Sequence, residues 1–380
     1  MLELRPMAAV EPIEAGSASA ARSQIVSTIL FQPNDLSRLS AKFQPLADGP
    51  LRDEIRGMLR DCYAIPDSAA ITIESIVGAN ALSLTFRSTV NGSRLFLKSR
   101  TGPDALDRLT LEAQTVELLA ARDIPVPTLI RASRGEAAVA FRQRAWLSYR
   151  FEDGNYFQGH GSELESAASV FDRLTCAATD LHAAGRLRVN TVLQPALSEI
   201  PTLISEALRR PEVDPAIAGL CSSYAGLIQR EIDRVLADQD VITALSGPLH
   251  LDYHPLNLLM RGGAVATVLD FEDLTVYPII AGTGFAAFKL IRQAMVSPVV
   301  RAGEEREPRL VARWLAAGTP ADLGVNLNAR LLGLGATFRV LTLIHLILGS
   351  YLRHFDARFN YDLGKQMTSL KEIGFIFGSN

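Results

Sequence analysis

Four side chains able to do chemistry lie at short spacing in residues 248–274: His250, Asp252, Asn257 and Asp270. The apolar runs 258–260 and 265–269 flank Arg261-Gly262-Gly263, the pattern of two strands closed by a glycine turn. A hairpin folded there brings Asn257 and Asp270 to within a residue or two of register. An amide oxygen beside a carboxylate is an oxygen-only donor pair, suited to a hard divalent cation such as Mg²⁺. Asp252 precedes Asn257 on the same loop, close enough to act on a group beside that metal. A metal site with a carboxylate next to it is the apparatus of phosphoryl transfer.

These groups need a scaffold, and the remaining chain supplies its pattern. The spacing predicts a helix over 51–63, strands over 71–77, 82–88 and 94–99, and a hairpin turn at Asn91-Gly92. Between the first two strands, Gly78-Ala79-Asn80 is a small-residue turn whose backbone N–H groups can approach phosphates closely. Gly78 and Asn80 are therefore candidate nucleotide contacts. Lys98 alternates with Phe96 at the end of its strand, so its stem packs inward while its ammonium must find anions. In the helix predicted over 105–122, Glu112 and Glu117 flank the apolar stripe on either side, and periodicity does not choose between them. Strands over 139–141 and 145–151 follow, and Glu152-Asp153-Gly154 reads as a hinge between two lobes. The rest is helical in pattern, over 163–185, 199–240, 285–295, 310–317 and 330–352, with His182 read as a structural histidine.

The arrangement His250-x-Asp252-x4-Asn257, then Asp270 after a short hairpin, resembles the core of the aminoglycoside phosphotransferase/choline kinase family, small-molecule relatives of protein kinases. Glu112-Ala113, Leu118-Leu119 and Ile124-Pro125-Val126-Pro127 match the same family's helix and turn. The resemblance spans roughly residues 51–300. It implies an α+β, two-lobed protein-kinase-like fold, with a small antiparallel-sheet N-lobe and a mostly helical C-lobe. Residues 1–65 are then an N-terminal extension with one helix, 66–153 the N-lobe and 154–380 the C-lobe. It further implies that Lys98 pairs with Glu112 and holds ATP phosphates, that Asn257 and Asp270 hold Mg²⁺, that Asp252 is the catalytic base or orienter, and that His250 braces the loop. Glu272 or Asp273 is a candidate accessory group at the metal.

Asp270-Phe271-Glu272 stands where protein kinases have Asp-Phe-Gly, and no Ala-Pro-Glu closes an activation segment, which favours a small-molecule acceptor over a protein. One departure concerns Ala281-Gly282-Thr283-Gly284: the family usually carries an aspartate there to support the active-site loop. The competing reading is a pseudokinase or nucleotide-binding scaffold, disfavoured by the joint presence of Lys98, Asp252, Asn257 and Asp270.

Bulk properties narrow the class. The chain has 380 residues, 48% hydrophobic and 21% charged, as an ordinary globular protein has. A net charge of −3 gives no reason to expect nucleic acid or an anionic membrane as partner. Three scattered cysteines and the absence of a signal-like start point to a reducing, cytoplasmic setting, and the apolar stretch 331–352 reads as a buried core helix. From Arg301 onward ten basic residues face seven acidic ones, so a neutral or anionic acceptor such as a sugar or hydroxy acid is expected rather than a polycationic aminoglycoside.

Overall fold

The computed structural model describes residues 43–76, 83–191, 196–296, 307–318, 326–356 and 358–378. Gly78 and Asn80 lie outside the described residues, as does the side chain of Asp273.

The N-terminal half of the site rests on one antiparallel sheet. Its strands are β1 (Phe43–Pro45), β2 (Ile71–Ile76), β3 (Ser83–Val90), β4 (Ser93–Arg100), β5 (Leu129–Ile130), β6 (Ala138–Phe141) and β7 (Arg144–Arg150). They run in the order β1-β2-β3-β4-β7-β5, with β6 also paired to β7. The β3–β4 turn has Asn91 at φ 47° and Gly92 at φ 83°, the doubly positive geometry that matches strand twist. Two helices belong to this layer: α1 (Pro50–Tyr63) and α2 (Ala105–Ala120).

Helix α1 packs on this sheet. Ile55, Met58 and Leu59 recur at helical spacing and are fully buried against Ile73, Phe86, Leu97 and Trp146. With β1 paired to β2, residues 43–63 are part of the sheet's own core and not an extension added to it. The reason is hydrophobic: three fully buried side chains of this size remove several kcal/mol of apolar surface from water, at about 1.5–3 kcal/mol each.

The remainder is mostly helical: α3 (Glu163–Ala183), α4 (Ile200–Arg209), α5 (Pro215–Ala237), α6 (Gln239–Thr243), α7 (Ile279–Val296), α8 (Glu307–Ala317), α9 (Ala329–His354) and α10 (Arg358–Phe377). Two small sheets lie among them. One orders β10 (Ser246–His250), β13 (Leu274–Pro278) and β9 (Asn190–Thr191); the other orders β12 (Ala264–Val268), β11 (Leu258–Arg261) and β8 (Asn155–Tyr156). Helix α10 was not anticipated from the sequence.

By length and composition alone α7 and α9 could each cross a membrane, yet they pack on each other and are largely buried within the protein. The packing depends on glycine. A Cβ on Gly284 would stand 2.3 Å from the Leu332 carbonyl oxygen, and one on Gly335 would stand 2.1 Å from that of Ile280. The expected aspartate of residues 281–284 is therefore replaced by a stretch that lets α7 approach its neighbours closely; a Cβ on Gly282 would meet Leu249 Cδ1 at 2.5 Å.

Candidate active site

Strand β4 carries Lys98 inward, and its side chain is buried. Lys98 Nζ donates to Glu112 Oε2 at 2.9 Å and to Asp270 Oδ1 at 2.7 Å, with Glu272 Oε2 3.5 Å away. Arg100 pairs with the same Glu272 carboxylate. Glu112 is buried on α2 and its other oxygen accepts from the Tyr149 hydroxyl at 3.2 Å. Glu117 instead faces outward and pairs with Arg131. Packing thus makes the choice between the two glutamates that helical periodicity left open.

Burial alone would drive the Lys98 ammonium to lose its proton. The carboxylates of Glu112, Asp270 and Glu272 reverse that, holding its pKa above the ordinary lysine range. Lys98 and Arg100 together face the carboxylates of Glu112, Asp270 and Glu272, while Arg108 and Arg188 stand on the outer side of Glu112 and Glu272.

The hairpin β11–β12 pairs Leu258 with Val268, and Leu269 N donates to the Asn257 carbonyl at 2.8 Å, so Asn257 and Asp270 sit together at the hairpin mouth. Gly262 and Gly263 turn it at φ 58° and 80°. Asp270 adopts the left-handed region, φ 64° and ψ 67°, which costs about 1–3 kcal/mol in a non-glycine residue and concentrates at functional sites. That turn aims its carboxylate away from the hairpin and toward Lys98.

Asn257 Nδ2 donates to the Asp252 carbonyl at 2.9 Å and to Asp252 Oδ2 at 3.0 Å. Its amide oxygen is the atom left for a cation. Paired with Asp270, this is an all-oxygen donor set of one amide and one carboxylate. It fits Mg²⁺, which takes one or two protein oxygens and completes its shell with phosphate and water. No group of three or more His, Cys, Asp or Glu side chains suited to a metal occurs among the described residues.

Asp252 has a second partner. His254 Nε2 lies 3.2 Å from Asp252 Oδ2, while His254 Nδ1 accepts from Leu256 N at 3.0 Å, which fixes the ring. Burial raises the Asp252 pKa, but the His254 hydrogen bond and the charges of His254 and His250 outweigh it and keep this carboxyl well below the usual range. His250 is buried, shares Nε2 with the Leu269 carbonyl at 2.9 Å, and meets the edges of the Phe271 and Tyr253 rings. Its Nδ1 is buried without a hydrogen-bond partner among the described residues. The loop is tied instead by Tyr253, whose hydroxyl donates to the Ala167 carbonyl at 2.8 Å.

Lys98, Glu112, Asp252, Asn257, Asp270 and Glu272 line one cleft of about 380 Å³. Its apolar walls come from Ile76, Phe96, Pro127, Leu259 and Leu269, with Glu152 at the hinge. His182, on α3, is not among the lining residues; its Nδ1 lies 3.2 Å from the Leu187 carbonyl. The roles of His254 and Tyr149 were not apparent in the sequence: a His-Pro inside a loop and a tyrosine on a strand carry no spacing signal that marks them.

No curated protein matches the sequence as a detectable relative. Solved structures share the fold at low identity. A spectinomycin phosphotransferase in complex with ADP and spectinomycin is 13% identical, with a TM-score of 0.61 over 89% of this chain and 100% of that one. An amicoumacin kinase in complex with AMP-PNP, Ca²⁺ and its antibiotic is 12% identical, with a TM-score of 0.55 over 84% and 92%. A microcompartment-associated aminopropanol kinase is 16% identical, with a TM-score of 0.56 over 83% and 94%. The kinase-like fold of these neighbours, and the match of residues 75–322 to the phosphotransferase enzyme family, settle the class: the chain belongs to that family of small-molecule kinases.

Proposed function

We propose that the protein transfers the γ-phosphate of ATP, with Mg²⁺, to a hydroxyl of a small metabolite such as a sugar, an amino alcohol or a hydroxy acid. Residues 43–153 form the nucleotide lobe in this reading, and residues 154–380 carry the metal site and the acceptor side. The observation that carries it is two sets of contacts meeting at one hairpin mouth: Glu112 to Lys98 to Asp270 on one side, and Asn257 to Asp252 on the other.

Lys98, held by Glu112, binds the α- and β-phosphates, and the apolar walls of the cleft take the base. Asn257 and Asp270 would hold the magnesium ion, which when bound neutralises phosphate charge. The acceptor hydroxyl lies against Asp252. Its oxygen forms a bond to the γ-phosphorus as the bond to the β,γ-bridging oxygen breaks and ADP departs. Asp252 is ionised across the physiological range, since its pKa is depressed. It therefore orients the hydroxyl by accepting its hydrogen bond, and takes the proton only as positive charge builds on the attacking oxygen.

The test is ATP-dependent incorporation of phosphate into a panel of hydroxylated metabolites. Asp252→Asn should retain ADP binding and lose transfer by about 10²–10⁴-fold. Near-normal transfer by that variant would remove Asp252 from the chemistry.

A further inference from the structure

Behind the catalytic loop stand helices α7 and α10, joined to each other by an ion pair. Helix α7 packs against the turn 255–257, so residues on its inner face look toward the acceptor side of the site. Lys289 and Arg292 are one turn apart on α7, and Lys365 lies on α10. Arg292 is buried and pairs with buried Glu372 of α10, Nε to Oε2 at 2.7 Å and Nη2 to Oε1 at 2.9 Å, which pins the two helices together. Glu372 is thereby taken up. Lys289 Nζ is left against two rings, 4.7 Å from the Phe285 centroid and 5.5 Å from that of Phe288. Neither Lys289 nor Lys365 has an ion pair or side-chain hydrogen bond among the described residues.

Lys289, Lys365 and Arg292 thus lie near enough to feel one another's charge, and the one carboxylate paired among them, Glu372, is engaged by Arg292. We infer that Lys289, Lys365 and Arg292 form the acceptor subsite for an anionic group, so that the substrate is a small hydroxylated anion whose carboxylate or phosphate sits on these side chains while its hydroxyl meets Asp252. This rests on the kinase reading above and names its substrate class.

Electrostatics points the same way. Burial, then the neighbouring Lys365 and Arg292, depress the Lys289 pKa well below the ordinary lysine value; burial and Arg292 depress that of Lys365. Glu372 and Asp252 oppose both shifts, and Asp362 opposes that of Lys365, without cancelling them. A cluster of mutually repelling cations in a partly buried site is a cost that a bound anion removes. Cation–π contact with phenylalanine offsets only part of it. A polycationic acceptor would add to the repulsion.

Matched acceptors test the inference on the full-length chain with MgATP: glycerol, glycerate, glycerophosphate and serinol, then glucose, gluconate and glucosamine. Glycerate or gluconate leading locates a carboxylate, and glycerophosphate leading locates a phosphate. The anionic member should exceed its neutral partner by about tenfold or more in kcat/KM, the scale of one or two charge-assisted hydrogen bonds. Lys289→Met with Lys365→Met should abolish that preference through KM, and Lys289→Arg with Lys365→Arg should restore most of it, with the Kd for ADP unchanged throughout. A best acceptor that is neutral or cationic, or an anion preference that survives the double methionine variant, overturns the subsite while leaving the kinase reading intact. Absence of transfer to every member, with no thermal protection by glycerate, gluconate or glycerophosphate, overturns it as well. Retained transfer in Asp252→Asn is the separate outcome that would remove the kinase chemistry itself.

Discussion

Two lysines of the N- and C-terminal halves, buried Lys98 and half-buried Lys289, have opposite surroundings. Lys98 is held by Glu112 and Asp270 with Glu272 at 3.5 Å, and its proton affinity is raised. Lys289 faces Lys365 and Arg292, with one engaged glutamate nearby, and its proton affinity is lowered. The same residue type is overcompensated on one side and undercompensated on the other. In the proposed reading, Asp270 on the nucleotide side accommodates a divalent cation that travels with phosphates. On the acceptor side the surplus is positive and accommodates an anion. The proposed reading thus gives the protein two ligands of different sign, one met by carboxylates and one by lysines.

The largest effect should come from breaking the nucleotide side. Asp270→Ala removes the metal carboxylate and one anchor of Lys98 together. Phosphate transfer should fall by about 100-fold or more, since even groups that merely support metal ligands are worth 10–100-fold. Far-ultraviolet circular dichroism should be unchanged, because Asp270 is partly exposed at a hairpin mouth and Glu112 still holds the buried Lys98. Transfer within a few-fold of wild type would show that the metal is held elsewhere.

Grading the Lys98 anchors comes next. Lys98→Ala should raise the KM for ATP by about 100-fold, and Glu112→Gln by about tenfold, because the glutamine still accepts a hydrogen bond but no longer offsets the charge. Glu117→Gln should be silent to within about twofold, since an exposed pair with Arg131 is worth little. Steady-state kinetics on the three variants decides the order. Damage from Glu117→Gln with a silent Glu112→Gln would mean that the helix turns the other face to the site.

What could be read in the sequence divides along the same line. Asn257, Asp270 and Asp252 were legible because a tight hairpin fixes their separation locally, whatever the distant packing does. Lys98 was legible as a strand-end cation, but its partner was not: Glu112 and Glu117 flank one stripe symmetrically, and only the family's motif favoured Glu112. The acceptor side was illegible. Lys289 and Lys365 are 76 positions apart, on helices whose approach depends on packing that no local pattern encodes. Counting charges after Arg301 was a poor substitute, since Arg313 is consumed by Glu165 and Arg330 by Asp238. The helical α1 was legible by its spacing, whereas its membership in the sheet's core required the contacts with Phe86 and Trp146.

The smallest effect, and the one that sharpens the comparison most, concerns stability. A lysine whose folded pKa lies below its unfolded value binds fewer protons in the native state across the interval between them. Stability therefore rises with pH through that interval, and below it the native protein carries the full cost of the charged group. Lys289 is such a group, facing Lys365 and Arg292 with Glu372 and Asp252 in partial opposition. Lys289→Met keeps the packing of the aliphatic stem against Phe285 and Phe288 and removes the charge. Its melting temperature at neutral pH should therefore exceed that of wild type by a few degrees, and the gap should close as pH rises toward the ordinary lysine pKa of about 10.4. Lys365→Met should show the same sign with smaller size, because its depression is the weaker of the two. Glycerate, gluconate or glycerophosphate should stabilise wild type at neutral pH and lose most of that effect in either variant. A Lys289→Met protein less stable than wild type at neutral pH would mean that the fold already satisfies this ammonium, and the asymmetry between the two lysines would then be one of burial rather than of charge.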